Sequence, residues 1–268
     1  MGEPSGAAPG AVGSLSVAAG SGITRGPGFE RARHETVRYH DELYAQADLG
    51  VPGTWLARPH PLVTWSLDLV RGRGSMVAYD LGAGVGRHTI PIARALGVGS
   101  RVVAVDLLDG AIRRLRTNAA RAGVGPMVTT SRCDLEAFRP RAPAGLVVIF
   151  SALEHLAGGA VVAQVLSRMQ AVTRPGGMHV LGVLCDRTEV CAGRERPALV
   201  ELAWTSDQAL AALDVQYEGW QVLRRELVPS TITETRDGQT HQLRSTLVQY
   251  VAERPQRLGA ATSEVARS

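Results

Sequence analysis

The residues best suited to hold a ligand lie in one short segment, VAYDLGAGVGRHTI, which spans residues 77–90. Three glycines at alternate positions from 82 to 86 allow a tight turn and a close approach of backbone to a bound group. A dinucleotide fingerprint would carry its third glycine at position 87, where this chain has Arg87. Asp80 stands before the first glycine, where a carboxylate would repel a pyrophosphate and attract a cationic amino group. The segment therefore favours S-adenosylmethionine (SAM), whose methionine end carries such a group, over a nicotinamide or flavin dinucleotide.

Two further carboxylates follow the next two strand-like runs. Asp106 lies 24 residues beyond Gly82, where it can accept hydrogen bonds from both hydroxyls of a ribose. Asp134 follows the third run and suits the exocyclic amine of adenine. Either acid alone would be interpreted as a helix N-cap, but three acids at successive strand ends fit one adenosyl ligand. The predicted cofactor-binding residues are Asp80, Gly82, Ala83, Gly84, Gly86, Asp106, Leu107, Cys133, Asp134, Leu135 and Ser151.

Short apolar runs that alternate with helical stretches must position these residues. This alternation predicts an α/β fold, with a Rossmann-like, doubly wound, mostly parallel seven-stranded sheet. The predicted strands are 77–81, 102–107, 127–130, 146–151, 179–185, 222–228 and 243–251, and the helices between them are 89–96, 110–122, 160–173 and 206–213. The last two strands flank Asp237-Gly238, a hairpin signal, and are predicted to form an antiparallel pair.

Composition predicts one domain between two tails. Residues 1–28, rich in Gly, Ala, Ser and Pro, are expected to be a disordered tail, and residues 255–268 a flexible one. Residues 29–254 would form the domain, with 29–75 as a helical lead-in that packs on it or covers the ligand as a lid. In the lead-in, Tyr39, Leu43 and Ala47 are predicted to share one helical stripe.

The chain lacks the sequence features of membrane, secreted and nucleic-acid-binding proteins. No apolar run approaches the roughly 18 residues of a membrane span, no secretion signal is apparent, and three cysteines do not suggest a disulfide framework. We therefore expect a cytoplasmic protein. The 29 basic residues, all arginines, are scattered and leave a net charge of only +4, which makes nucleic acid an unlikely partner and favours a small-molecule acceptor. The sequence predicts no oligomeric state.

The motif order resembles that of the class I SAM-dependent methyltransferases. The matching segments are DLGAGVGR, VVAVDLL, CDL, VVIFSALEHL and RPGG, which together run from about residue 77 to residue 185. The resemblance implies an enzyme that uses SAM as its cofactor. It also leaves a non-catalytic SAM-binding regulatory module as an alternative, because the same motifs would serve both.

A narrower likeness points to the tellurite-resistance methyltransferases of the TehB type. Residues 217–230, 237–253 and 57–63 are similar to segments of that family, and Gly86-Arg87 also matches it. The resemblance implies a metalloid oxyanion or thiol acceptor, with Arg244 and His60 lining its pocket. The chain departs from the family at Ile232-Thr233, where a His-Arg pair would stand.

The candidate catalytic residues are Arg244, Glu154 and His155. A tellurite-like oxyanion or a thiolate needs no base, and Arg244 could bind it through charge-assisted hydrogen bonds. A hydroxyl or amine of a natural-product or quinone-like metabolite would need a base, and Glu154-His155 resembles the corresponding segment of ubiquinone-type O-methyltransferases. Some of those enzymes hold a metal with a glutamate three residues earlier, but Ser151 stands there, so no metal is predicted.

Two of the three cysteines offer a weaker alternative. Cys185 and Cys191 lie six residues apart in a segment predicted to cover the acceptor side, and could act as soft ligands for a metalloid.

Overall fold

The computed structural model describes residues 27–46, 48–52, 54–236 and 239–256, which form alternating helices and strands. The helices are α1 (Pro27–Gln46), α2 (Pro61–Val70), α3 (Thr89–Ala95), α4 (Asp109–Arg121), α5 (Gly159–Val172) and α6 (Ser206–Gln216). The strands are β1 (Val77–Leu81), β2 (Arg101–Asp106), β3 (Val128–Arg132), β4 (Ala144–Phe150), β5 (Thr173–Cys191), β6 (Arg194–Pro197), β7 (Gln221–Arg236) and β8 (Gln239–Glu253). Short 3₁₀ turns occupy Gly125–Met127 and Leu153–His155. The predicted Asp237-Gly238 turn, Ala47 and nearly all of both predicted tails lie outside the described residues.

One sheet carries the predicted topology. Its strand order is β3-β2-β1-β4-β5-β8-β7, with parallel pairing from β3 to β5 and antiparallel pairing of β8 with β5 and β7. Helices α3, α4 and α5 connect β1 to β2, β2 to β3 and β4 to β5, while an irregular segment connects β3 to β4. The predicted mostly parallel, Rossmann-like sheet with a C-terminal antiparallel pair is therefore confirmed.

The structure adds an eighth strand and lengthens β5. β6, a four-residue strand of sequence RERP, pairs with the end of β5, and all four of its residues are exposed. Such a strand has no apolar alternation, so the sequence pattern could not reveal it. β5 runs 19 residues, well beyond the predicted 179–185, and its last part projects past the carboxyl ends of the parallel strands.

The core forms on both faces of the sheet. Alternate residues of β4 point to opposite sides, with Leu146 and Val148 on the face covered by α2, α3 and α4, and Val147 and Ile149 on the face covered by α5 and α6. Every residue of β4 is buried, as expected for a central strand of a doubly wound sheet. Across the described ranges, every helix is too short or too polar to traverse a bilayer.

A buried polar network ties β5 to α5 and α6. The Thr173 hydroxyl donates to the Met169 carbonyl at 2.7 Å and lies 2.8 Å from His179 Nε2, which must therefore carry the ring proton. His179 Nδ1 then accepts from the Tyr217 hydroxyl at 2.6 Å. Burial lowers the pKa of His179 to about 3, so the ring stays neutral and its single tautomer is fixed.

We predict that Tyr217→Phe lowers the free energy of unfolding by about 1–3 kcal/mol, because His179 Nδ1 would lose its donor in the core. Urea denaturation measures the change. Tyr250→Phe is the matched control, since the Tyr250 hydroxyl bonds only the surface carboxylate of Asp214, and its loss should cost less than about 1 kcal/mol. Equal effects of the two substitutions would contradict the role of the buried network.

Candidate functional site

The turn after β1 brings backbone N–H groups to the carboxyl edge of the sheet. Gly82 and Gly84 have φ values of +76° and +51°, which favour glycine. The N–H groups of Gly82 and Ala83 donate to the Val105 carbonyl at 2.9 and 3.0 Å, which fixes the turn against β2. A side chain at Gly82 would place its Cβ 2.5 Å from that of Ala152, so the close approach of the two loops requires glycine here.

Asp106 joins the turn after β1 to the loop after β2. Its Oδ2 accepts from the Gly84 N–H at 2.8 Å and its Oδ1 from the Leu108 N–H at 2.9 Å. Burial raises the pKa of Asp106, while hydrogen bonds from Leu108 and Gly84 oppose that rise by stabilising the carboxylate. The carboxylate is thus held at the end of β2, where it lines a cavity.

Helix α1 crosses this edge of the sheet and covers the cavity. The residues of α1 that line the cavity form a single stripe, with positions spaced by three or four: Arg33, Thr36, Val37, His40 and Tyr44. The stripe that faces the cavity therefore differs from the predicted Tyr39, Leu43 and Ala47. The cavity volume is about 110 Å³. An adjoining cavity of about 700 Å³ shares Val37, Tyr44, Leu107 and Leu108 with it.

Arg33 holds α1 against the opposite wall of the cavity. One guanidinium nitrogen lies 2.7 Å from Asp134 Oδ2 and another donates to the His155 carbonyl at 2.8 Å. The other oxygen of Asp134 accepts from the Glu136 N–H at 2.9 Å. Farther along α1, the Tyr44 hydroxyl lies so close to Gly84 that a Cβ there would approach it to 2.8 Å. The helix thus contacts the site at both ends of the stripe.

The predicted cofactor residues fall into three groups in the structure. Those that line the cavity are Gly82, Asp106, Leu107, Asp134, Leu135 and Ser151. Ala83, Gly84 and Gly86 form the adjoining turn, while the Cys133 thiol bonds the Asp134 carbonyl and packs on the neighbouring core. Ser151 has a φ of +50°, a strained conformation that occurs mostly at functional positions.

Asp80 lies beneath the turn rather than on the cavity wall. Its side chain is buried, and Oδ2 accepts from the Thr89 hydroxyl at 2.5 Å at the start of α3. Burial raises the pKa of Asp80 to about 7, against the lowering effect of the Thr89 hydrogen bond. In this position its carboxylate joins β1 to the start of α3, and its predicted contact with an amino group stays a prediction.

His155 and Glu201 form a hydrogen-bonded pair at the cavity. His155 Nδ1 lies 3.0 Å from Glu201 Oε2, and the Glu201 side chain is fully buried. Burial alone would raise the pKa of Glu201, but hydrogen bonds from His155 and Thr36 outweigh it and lower the pKa. The second imidazole, that of His40, has its ring centroid 6.0 Å from that of His155. Burial lowers the pKa of His40 to about 4, so this neighbour stays neutral.

Glu154 and Arg244 do not lie where catalysis would need them. Glu154 is 1% exposed, and neither carboxylate oxygen has a hydrogen-bond partner among the described residues. Burial raises the pKa of Glu154. Arg244 projects from β8 beyond the cavity, with a half-exposed side chain 3.7 Å from Glu195. Both were candidates for catalysis, and neither lines the cavity.

His60 is the other residue that the narrower likeness placed in an acceptor pocket. It forms the N-cap of α2, where Nδ1 accepts from the Leu62 N–H at 3.1 Å. Its ring lies 4.4 Å from that of Phe150, on the opposite side of β4 from α5. A structural role explains these contacts.

The sequence patterns missed Arg33, His40, Tyr44 and Glu201. The first three share a stripe at helical spacing, which a search for polar residues on α1 could have found. Glu201 precedes α6 in an irregular segment and lies 46 residues from its partner His155, so no local pattern marks it. Within the described residues, no group of three or more His, Cys, Asp or Glu side chains has metal-binding geometry.

Comparisons with known proteins agree with the geometry. A model of the methyltransferase-domain family matches residues 78–177. Two curated relatives, from Pyrobaculum aerophilum and Pyrobaculum calidifontis, are each named as a probable cobalt-precorrin-6B C(15)-methyltransferase (decarboxylating). The first is 31% identical over 140 residues, which cover 47% of this chain and 69% of the relative. The second is 30% identical over 166 residues, which cover 58% and 83%.

A solved structure has a similar fold. TehB from Haemophilus influenzae superposes with a TM-score of 0.57 at 15% identity, and the match covers 73% of this chain and 62% of that one.

We predict that Asp106→Ala weakens binding of S-adenosylhomocysteine about 10- to 100-fold, because a carboxylate that organises two loops is lost. Isothermal titration calorimetry measures the dissociation constant. Asp109→Ala is the matched control, since this exposed acid forms its ion pair with Arg113 on α4. An Asp106→Ala protein that folds and binds within a factor of two of wild type would contradict the assignment.

We also predict that titration of Asp80 makes the stability of the protein depend on pH. Its folded pKa of about 7 lies above the ordinary 3.8, so the folded protein holds a proton that the unfolded chain releases. The contribution of Asp80 to the free energy of unfolding therefore decreases as pH rises, by about 2 kcal/mol between pH 5 and pH 7. Asp80→Asn should flatten that slope in urea denaturation, whereas Asp68→Asn, at an exposed site, should leave it intact. An unchanged slope in Asp80→Asn would disprove the shift.

Proposed function

Because this chain belongs to the class I SAM-dependent methyltransferases, we propose that it methylates a hydroxyl or amine of a small-molecule acceptor, with His155 as the general base. Its cofactor is SAM, and the non-catalytic module that the sequence left open gives way to an enzyme. The observation that carries the proposal is the hydrogen bond between His155 and a fully buried Glu201.

The Glu201 carboxylate fixes the tautomer of His155. An ionised carboxylate only accepts hydrogen bonds, so the proton on the His155 ring must sit on Nδ1. Nε2 is then an acceptor, and the ring lines the cavity. A base whose orientation is fixed by a third group is the usual arrangement for removing a proton from a weak nucleophile.

SAM supplies an activated methyl group on a sulfonium centre, so this chain has to position the acceptor, exclude water and take up the acceptor's proton. His155 Nε2 would receive that proton from a hydroxyl or an ammonium group. Glu201 would stabilise the resulting imidazolium, and the buried environment strengthens that attraction. Helix α1, held down by Arg33, would keep water out of the cavity.

The residues of the cavity wall fit the adenosyl cofactor. Glycine at positions 82 and 84 lets the turn pack closely against Ala152 and Tyr44, where any Cβ would clash. Asp106 would accept from the ribose hydroxyls and Asp134 from the adenine amine, with Leu135 against the base. The roles of Ala83, Gly86, Leu107, Cys133 and Ser151 as further contacts belong to the same proposal.

A metalloid oxyanion or a thiol, the acceptor class of the TehB-like hypothesis, is the alternative that the experiment must separate. Such an acceptor reacts as an oxyanion or a thiolate, which has no proton to lose, so a base would be unnecessary. The likeness to TehB is one of fold, and Arg244, the expected anion-binding residue, lies outside the cavity. The hydrogen-bonded pair of His155 and Glu201 therefore favours an acceptor that carries a proton.

We predict that His155→Ala lowers kcat by about 10²- to 10⁴-fold and that Glu201→Gln lowers it about ten-fold or more, with little change in the dissociation constant of SAM. The assay uses labelled SAM with a panel of phenols, catechols, primary amines, thiols, tellurite and selenite. A cobalt-precorrin belongs in the panel, because the Pyrobaculum relatives are named for one.

His34→Ala provides the matched control, since this histidine of α1 is 78% exposed and its loss should leave kcat unchanged. Turnover of phenols or amines that depends on His155 supports the proposal. Turnover of tellurite or thiols alone, undiminished in His155→Ala, would overturn it in favour of the TehB-like alternative.

A further inference from the structure

A three-stranded ribbon extends beyond the carboxyl edge of the parallel sheet. It consists of β6, the last part of β5 and the first part of β8. Because side chains two residues apart in a strand share a face, each strand contributes a pair to the same side of the ribbon. These pairs are Glu189 and Cys191 in β5, Arg194 and Arg196 in β6, and Gln239 and His241 in β8. The register sets Cys191 between Arg194 and His241, and Glu189 opposite Arg196.

Three of these side chains form a chain of contacts. Cys191 Sγ lies 3.7 Å from His241 Nε2, and His241 Nδ1 lies 2.8 Å from Glu189 Oε1. The other oxygen of Glu189 receives two nitrogens of Arg196, at 2.8 and 2.6 Å. The His241 and Glu189 side chains are only 12% and 8% exposed, so their geometry is well defined.

The order of these groups is that of a nucleophile, a base and an orienting acid. The Glu189 carboxylate accepts from His241 Nδ1–H, which leaves the lone pair on Nε2 directed at the thiol. A base in that position can accept the thiol proton as the sulfur attacks, and Arg194 lies opposite Cys191 in the register. The Gln239 carbonyl oxygen, 3.3 Å from Sγ, accepts the S–H in the protonated state.

We propose that Cys191 is a nucleophilic thiol that undergoes exchange with low-molecular-weight disulfides. Its thiolate attacks one sulfur of the disulfide, forming a new S–S bond to Cys191 while the original S–S bond breaks. The second sulfur leaves with the electron pair as a thiolate and takes the proton from the His241 imidazolium. The site is separate from the methyl-transfer cavity, so it does not depend on the function proposed there.

The other cysteines lack this environment and serve as references in the same molecule. Cys133 is partly exposed, and its thiol bonds the backbone carbonyl of Asp134. Cys185 is 1% exposed, and burial raises its pKa to about 12, so it is expected to be inert.

The experiment treats the full chain with bis(2-hydroxyethyl) disulfide at pH 7, and peptide mass spectrometry follows the modification of each cysteine. We expect Cys191 to react at least about ten times faster than Cys133. His241→Gln should lower the Cys191 rate about ten-fold at pH 7, and the difference should shrink at pH 10, where the thiol ionises without a base.

Glu189→Gln is the second variant and should slow Cys191 about three-fold or more, because the ring loses its orienting acid. His34→Gln is the matched control, and retained binding of S-adenosylhomocysteine shows that each variant is folded. Reaction of Cys191 no faster than that of Cys133, or wild-type rates at pH 7 in both His241→Gln and Glu189→Gln, would overturn the proposal.

Discussion

The carboxylate of Asp106 connects the loops from which the cavity is built. It accepts one backbone N–H from the glycine turn after β1 and one from the loop that leads into α4. Parallel pairing of β1 with β2 places both strand ends at the same edge, and the close approach of Gly82 to Ala152 adds the loop after β4. Because these contacts are made by backbone and a buried acid, they constrain the site far more than surface side chains could.

The position of α1 is coupled to this framework through the residues proposed to hold the cofactor. Arg33 occupies one oxygen of Asp134, the side chain proposed to accept from adenine, while the backbone of Glu136 occupies the other. An adenine amine must therefore share Asp134 with Arg33 or displace it. Binding of the cofactor is therefore expected to weaken the contact of Arg33 with Asp134 and so to affect the position of α1.

The parts of the molecule that follow from short-range periodicity could be predicted from the sequence. The central strands and their alternation with helices are local signals, and the sheet confirmed them. The apolar stripe on α1 predicted a packing face, and Leu43 does pack against core residues, but it gave no sign that polar Arg33 and His40 line the cavity. Glu201 could not be found at all, since it reaches His155 from an irregular segment across 46 residues.

Two carboxylates lie beside His155, and their pKa values are shifted in opposite directions. This difference indicates which of them assists the base. Glu154 is adjacent in sequence, but burial raises its pKa, and the charges of His155 and Arg187 offset only part of that cost. The Glu201 side chain is also fully buried, but its hydrogen bond with the His155 ring lowers its pKa. The Glu201 carboxylate hydrogen-bonds the ring directly, whereas the Glu154 carboxylate has no hydrogen-bond partner among the described residues. The sequence suggested Glu154-His155 as the reactive pair, and the electrostatics favour Glu201 as the partner of His155 instead.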